Sequence, residues 1–215
     1  MLTDAQLASL DEAWGPARAA GILGTASIET LVEHTAGFAR AVCSSFSAPF
    51  GAFDGHIVDV GTGAGLPGVI LAALLPQATF TLVDASERRL DHPRRAARAL
   101  GVQDRVAVVH GRADELATDR AWRASADVAV ARLLADPAEA LEQLVPFVAP
   151  GGVVVVATAA EAVDRWNSLP VPLLPTSAVT WHEEADALFA AVGVTGPVPA
   201  ELPRREKARR RSPAF

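Results

Sequence analysis

Three aspartates, Asp59, Asp84 and Asp114, each follow an apolar run, and the first introduces the glycine-dense stretch "VDVGTGAGLPGV" at residues 58–69. A loop of this composition lets a ligand approach bare backbone. Two glycine patterns overlap in it. Gly63, Gly65 and Gly68 spell the G-x-G-x-x-G of dinucleotide sites, whereas Gly61, Gly63 and Gly65 spell a tighter G-x-G-x-G behind Asp59. Asp84 lies 21 residues after Gly63, where an acid accepts hydrogen bonds from a ribose diol under either pattern. Taken alone, the glycines would also serve a tight turn and helix packing.

Asp59 separates the two ligands. A carboxylate two positions before Gly61 faces the ligand, and at ~4 Å it repels a pyrophosphate by a few kcal/mol at an effective dielectric of ~20. It attracts the ammonium and sulfonium of S-adenosylmethionine. In "VVHGRADEL", Asp114 is suited to accept the exocyclic amine of adenine, and Ala113 is small enough to lie against the base. The expected cofactor is S-adenosylmethionine. No metal site is expected, and a nicotinamide oxidoreductase would leave Asp59 and Asp114 without a purpose.

The elements that must position these residues alternate from His56 onward. "HIVDV", "TFTLVD", "RVAVVH", "DVAVAR" and "GGVVVVAT" read as strands, separated by helical patterns such as "LPGVILAALLP" and "DPAEALEQLVPFV". Continuous β-branched runs between helices predict a parallel sheet covered on both faces. "SAVTWHEE" and "ALFAAVGV" add an antiparallel hairpin at one edge. Pro93, inside "SERRLDHPRRAARALG", either kinks that helix or sits just after a restart near Asp91. The first fifty residues read as helices. Leu2, Leu7, Leu10 and Trp14 share one face, which "GPARAAG" is expected to end. Ile28, Leu31, Val32, Phe38 and Val42 share another, with Ser27 as N-cap. The expected class is α/β, a Rossmann-like class I methyltransferase with a mostly parallel seven-stranded sheet. Its organisation is an N-terminal helical extension (1–50), a methyltransferase domain (51–200) and a basic C-terminal tail (201–215).

Composition narrows the classes further. Half of the 215 residues are hydrophobic, which allows a sizeable core. No apolar run approaches the ~18 residues of a membrane span, and "MLTDAQLASLDEAW" lacks the order of a signal peptide. A lone cysteine, Cys43, excludes an internal disulfide. The chain is expected to be cytoplasmic, with no membrane partner. Its formal charge of −6 is uneven: "PRREKARRRSPAF" carries six basic residues and one acid, so the body is −11 and the tail +5. A body that acidic holds polyanions poorly except through the tail or a local patch.

At this point the motifs meet a known pattern. "IVDVGTGAGLPGVILAALLP", "LVDASERR", "GRADEL" and "VAVARLLADPAEALEQLVPFVAPGG" resemble consecutive motifs of the GidB (RsmG) family, bacterial methyltransferases that modify N7 of a guanine in small-subunit (16S) ribosomal RNA. Leu66-Pro67-Gly68 is the most specific piece. The resemblance implies that Gly61, Leu66, Ala113, Asp114 and Arg132 are cofactor-contacting positions, beside Asp59, Gly63, Gly65 and Asp84 from the loop argument. It also implies a ribosomal RNA or small-subunit partner. The chain departs from the family pattern on the substrate side. "HTAGF" keeps His34 without the acid that usually follows it, Arg88 and Arg89 replace a Lys-Arg pair, and "VVATAAEA" lacks a Lys-Gly.

Guanine N7 carries a lone pair and no proton, so transfer to it needs alignment and no general base. Arg132, ending the fourth strand, is the side chain expected nearest the transfer site. His34 would orient the acceptor, against the plainer alternative of packing or capping. His56, His110 and His182 receive no role, and Trp122, Trp166 and Trp181 are base-stacking candidates or simple packing. Two other readings remain open from the residues: a related enzyme acting on a ring nitrogen of a small heteroaromatic molecule, and a cofactor-binding protein without turnover.

Overall fold

A computed structural model describes residues 2–132, 136–169, 174–184 and 187–204. The five apolar runs form parallel strands β1 (His56–Val60), β2 (Thr79–Asp84), β3 (Val106–His110), β4 (Ala126–Arg132) and β5 (Val148–Thr158). Strand β6 (Thr180–Glu184) pairs antiparallel with β7 (Ala187–Gly193), which pairs antiparallel with β5. The resulting order, β3-β2-β1-β4-β5-β7-β6, is the expected mostly parallel seven-stranded sheet with an edge hairpin, whose tip at 185–186 lies outside the described residues. From β1 the chain moves outward through β2 to β3 and then returns to β4 on the other side of β1. That reversal opens a crevice at the carboxyl ends of β1 and β4, the place where open α/β sheets bind ligands.

Helices cover both faces. Helices α1 (Asp4–Ala19), α2 (Ile28–Ser45), α3 (Gly68–Leu74) and α4 (Asp91–Ala99) share a core with Ile57, Leu82, Val130 and Val155. Helix α6 (Pro137–Leu144) and the short α5 (Ala113–Leu116) and α7 (Val163–Asn167) lie against Val58, Val60, Ala129 and Val154. Successive strand residues therefore point into opposite cores, which is why the runs are apolar throughout. Ser27 caps α2 as expected, its side chain accepting from Thr30 N at 3.2 Å. Pro93 falls in the first turn of α4, because a 3-10 turn at Glu87–Arg89 precedes a restart at Asp91. A first-turn N–H has no intrahelical acceptor, so proline is tolerated there.

One boundary differs from the sequence expectation. Helix α1 does not end at "GPARAAG"; it continues through Gly15 and Pro16 to Ala19. Tertiary packing overrides the breakers, since Trp14 and Ala17 are both fully buried. The Trp14 indole N–H also donates to the Ala64 carbonyl at 2.7 Å, tying this helix to the glycine loop.

Arginines secure the C-terminal segment. The Arg123 guanidinium donates to the carbonyls of Ala117, Val198, Pro199 and Leu202. Arg204 donates to the buried Glu142 carboxylate of α6 from its backbone N (2.8 Å), Nε (2.9 Å) and Nη2 (2.8 Å). The rest of the basic tail, from residue 205, lies outside the described residues. No helix among the described residues is long and apolar enough to cross a membrane. Replacing Trp14→Phe keeps most of the ring and strands the Ala64 carbonyl; it is expected to cost about 1–3 kcal/mol in chemical denaturation, and an unchanged midpoint would show that the indole N–H contributes nothing.

Candidate active site

Asp59 lies at 0% exposure beneath the glycine loop. Its Oδ2 accepts from the Thr62 hydroxyl at 2.6 Å and from Gly68 N at 2.9 Å, so one oxygen joins the start of the loop to the start of α3. Oδ1 has no hydrogen-bond partner among the described residues. Burial pushes the Asp59 carboxyl up to about 6, against the opposing pull of the Thr62 and Gly68 hydrogen bonds and of Arg132. The backbone of Gly61, Gly63 and Gly65 is left-handed throughout. Gly65 must also be bare because a Cβ there would press on Val69 and on Pro93 of α4. Gly68 is a packing residue: a Cβ would collide with Leu82 and crowd the Asp59 carboxylate. The last glycine of the apparent dinucleotide pattern thus turns toward the core, which leaves Gly61, Gly63 and Gly65 as the ligand-side set.

Beside the loop is a cavity of about 230 Å³ between the ends of β1, β2 and β3 and helix α6. That volume is below the ~300 Å³ at which ordinary ligand pockets begin, and suits one nucleoside better than two. Gly61, Asp84, Ala113 and Asp114 line it as a group, joined by Glu139 and Gln143 of α6. Asp84 Oδ2 accepts from Gly63 N at 2.9 Å and Oδ1 from Ser86 N at 2.8 Å, with Arg89 3.8 Å away. Each carboxylate oxygen keeps a further lone pair for a ligand hydroxyl. Asp114 is 8% exposed and receives Arg112 as a fork, Nε to Oδ1 at 3.0 Å and Nη2 to Oδ2 at 3.1 Å.

Arg132 and His34 form a second group on the β4 side. Arg132 ends β4 and is partly buried; burial lowers its pKa and the Asp59 carboxylate opposes that shift. Burial and the Arg132 charge both lower the His34 pKa, so the imidazole is neutral at pH 7. Its ring packs 5.8 Å from Phe38 and 5.4 Å from Phe189 of β7. Gly37 allows this, because a Cβ there would occupy the Phe189 ring. Leu66 is buried in the core cluster behind the loop. Of the other histidines and tryptophans, Trp14 hydrogen-bonds the glycine loop and His110 hydrogen-bonds the carbonyl of Ala85 at the cavity wall, while several make contacts of their own. His56 pairs with Thr79 and Thr81, Trp166 donates to Thr158, and Trp181 donates to Asn167.

The sequence reading assigns no site role to Trp14, which it places on a helix face, nor to Thr62, Arg112, Glu139 and Gln143. Two signals were available: Arg112 stands two residues before Asp114, and Glu139 and Gln143 are spaced to share a helix face. Nothing in the sequence couples Trp14 to the loop 50 residues away.

A family model described as rRNA small subunit methyltransferase G, GidB, matches residues 38–177, about two thirds of the chain. The chain belongs to the GidB family. A protein of Caldanaerobacter subterraneus named ribosomal RNA small subunit methyltransferase G is 31% identical over 170 residues, covering 73% of this chain and 68% of its own. Proteins of the same name from Alkaliphilus metalliredigens (35% identity, 58% of this chain) and Rubrobacter xylanophilus (37%, 63% of this chain) are each matched over 50% of their length. The matched part thus spans about half of these two curated relatives. Among solved structures, an RNA methyltransferase from Salinibacter ruber in complex with S-adenosyl-L-homocysteine superposes with a TM-score of 0.54 at 16% identity, over 82% of this chain and 97% of that one. A putative S-adenosyl-L-methionine-dependent methyltransferase from Methanococcus maripaludis gives 0.58 at 15% identity, over 79% and 90%. At such identities the likeness is one of fold, and that fold is the class I methyltransferase architecture.

The Asp59 geometry carries a pH signature with a defined sign. Its folded pKa, about 6, lies above the ordinary 3.8, so the protonated carboxyl stabilises the fold fully below 3.8 and the contribution is lost as pH rises through 6. Asp59→Asn, which removes the charge and keeps the shape, should match the wild type at pH 4 and gain on it above pH 6 by up to roughly 3 kcal/mol. Parallel denaturation curves from pH 4 to pH 8 measure the difference; a constant offset would place the carboxylate in a better-solvated setting.

Proposed function

We propose that this chain is an S-adenosylmethionine-dependent methyltransferase, and that its acceptor is N7 of a guanine in small-subunit ribosomal RNA. The observation that carries the reading is the acid-walled, nucleoside-sized cavity beside a glycine loop that is itself built on a buried carboxylate. Asp84 and Asp114 line the cavity; Asp59, with an unpartnered oxygen, does not face it as the sequence predicts but is buried behind the adjoining glycine loop. A pyrophosphate would meet repulsion from Asp84 and from Asp59 nearby, Asp114 being paired with Arg112, whereas a ligand with a ribose, an adenine and two positive centres meets acceptors and attraction. The residues present therefore fit S-adenosylmethionine. Family membership supports the same reading, and the names of the relatives supply ribosomal RNA as the acceptor class.

When bound, S-adenosylmethionine supplies a methyl group on a positively charged sulfur. The residues then have separate tasks. Asp84 accepts from the ribose hydroxyls; Asp114 and Ala113 hold the adenine edge and face. Gly61, Gly63 and Gly65 admit the ligand against backbone, with Leu66 packing the loop from behind. Asp59 offsets positive charge. Arg132 and the neutral His34 orient the acceptor ring for in-line attack by its N7 lone pair, and no residue has to remove a proton. The cytoplasm, where ribosomal RNA is found, is the proposed location.

The test offers protein-free 16S ribosomal RNA, small-subunit particles and a panel of free purines and other nitrogen heterocycles with tritiated S-adenosylmethionine. Label in guanine of the RNA is expected. The acidic body and the missing acid after His34 favour a small heteroaromatic acceptor as the second reading, and label confined to a free ring would establish it. Cofactor binding with no S-adenosylhomocysteine released from any acceptor would leave a binding protein. Separately, Asp84→Ala should weaken S-adenosylmethionine binding by roughly 1.5–3 kcal/mol in calorimetry, the range of hydrogen bonds to a charged group. Unchanged affinity would remove Asp84 from the ribose site.

A further inference from the structure

Apart from the C-terminal tail, this acidic chain carries a net positive segment, and it lies beside the cavity. Residues 85–99, the 3-10 turn after β2 and helix α4, contain Arg88, Arg89, Arg94, Arg95 and Arg98 against Glu87 and Asp91. The chain's formal −6 is the sum of +3 in this segment, +5 in residues 203–215 and −14 elsewhere. Arg88, Arg89, Arg95 and Arg98 are exposed, while the apolar side of the helix, Pro93, Ala96 and Ala97, is buried. Only Arg94 among the five has an acid of the same helix within ion-pair distance, Asp91 at 3.4 Å.

Placement makes this more than a solvated helix face. Arg89 stands 3.8 Å from Asp84 at the cavity rim, and the start of α4 abuts the glycine loop where Gly65 meets Pro93. From there nine residues of α4 carry the charge outward by about 13 Å at 1.5 Å per residue. At the far end Arg95 and Arg98 flank an open groove of about 420 Å³ between α4 and α1, whose other wall is Ser9, Glu12 and Ala13. Glu12 keeps that groove from being uniformly basic, so the guanidiniums, not the groove floor, are the anion-facing groups.

We propose that the outer face of α4, Arg88 and Arg89 at the rim with Arg95 and Arg98 beyond them, is a phosphate-contact track for the RNA strand whose base enters the site. Guanidinium forks suit phosphate oxygens, and a row of them leading away from the methyl-transfer site fits a polyanionic backbone better than a compact ligand. This inference rests on the RNA reading of the site. It adds which surface carries the strand, independently of the tail.

The experiment measures binding of the full chain to protein-free 16S ribosomal RNA by fluorescence anisotropy across a salt series, apart from any methyl transfer. Arg95→Ala/Arg98→Ala is expected to lower affinity tenfold or more at low salt and to flatten the slope of log K against log salt by about 1.4–1.8, at ~0.7–0.9 per lost phosphate contact. S-adenosylmethionine affinity should not change, which also reports that the variant is folded. Arg95→Lys/Arg98→Lys should retain most of the slope. The track is overturned if the alanine variant keeps the wild-type slope, if the wild type binds no RNA, or if the loss appears only with small-subunit particles, which would indicate a protein partner. Failure of the wild type to methylate RNA that it binds with α4-dependent affinity would instead remove the proposed acceptor and leave the track standing.

Discussion

A single buried carboxylate oxygen holds the site together. Asp59 Oδ2 receives the Thr62 hydroxyl and the Gly68 amide, which fixes the entry of the glycine loop and the first turn of α3 relative to the end of β1. The cost is a charge without solvent, visible in the upward shift of its pKa and in an Oδ1 that finds no partner among the described residues. Strain of this kind persists where the surrounding structure over-determines a group and where function needs it. Here the same charge that disfavours the isolated fold would attract a cationic ligand bound beside the loop.

The rest of the fold supports that loop from several directions. Helix α1 pins Ala64 through Trp14, and α4 closes on Gly65 through Pro93. On the opposite wall, α6 contributes Glu139 and Gln143 to the cavity and is held to the C-terminal segment by the Glu142–Arg204 pair. A buried carboxylate with three donors from one residue is strongly destabilised when its partner is lost, so α6 and the end of the described chain depend on each other. Helix α2 brings His34 to the β4 side by letting Phe189 pack where Gly37 leaves space.

Charge is divided in the same spatial sense. The cavity is walled by acids, which suits a ligand with positive centres and works against phosphates. Arg112 lines it too but is forked onto Asp114, and further arginines stand just outside, on the turn after β2 and along α4. A ligand with positive centres and a polyanion would thus each meet matching charge on neighbouring surfaces.

Much of this was readable from residues alone. The strand runs, the glycine loop, Asp84 at its spacing and the edge hairpin follow from local periodicity and from rules of α/β connection, which depend on sequence neighbours. The Ser27 cap is equally local, and of the two alternatives for Pro93, a kink or a restart near Asp91, the fold takes the restart. What sequence could not supply was long-range. The end of α1 was misjudged because buried Trp14 and Ala17 outweigh two helix breakers. Gly68 fits a ligand-glycine pattern until Leu82 and Asp59 are seen behind it, and the fork of Arg112 onto Asp114 is seen only in the fold. The sequence by itself determined the class of fold and the chemical type of the cavity, because periodic burial and the spacing of acids along strands are encoded locally. Only the tertiary structure decided which side each glycine faces, which helix braces the loop and where the arginines lie, because those follow from packing between residues far apart in the chain.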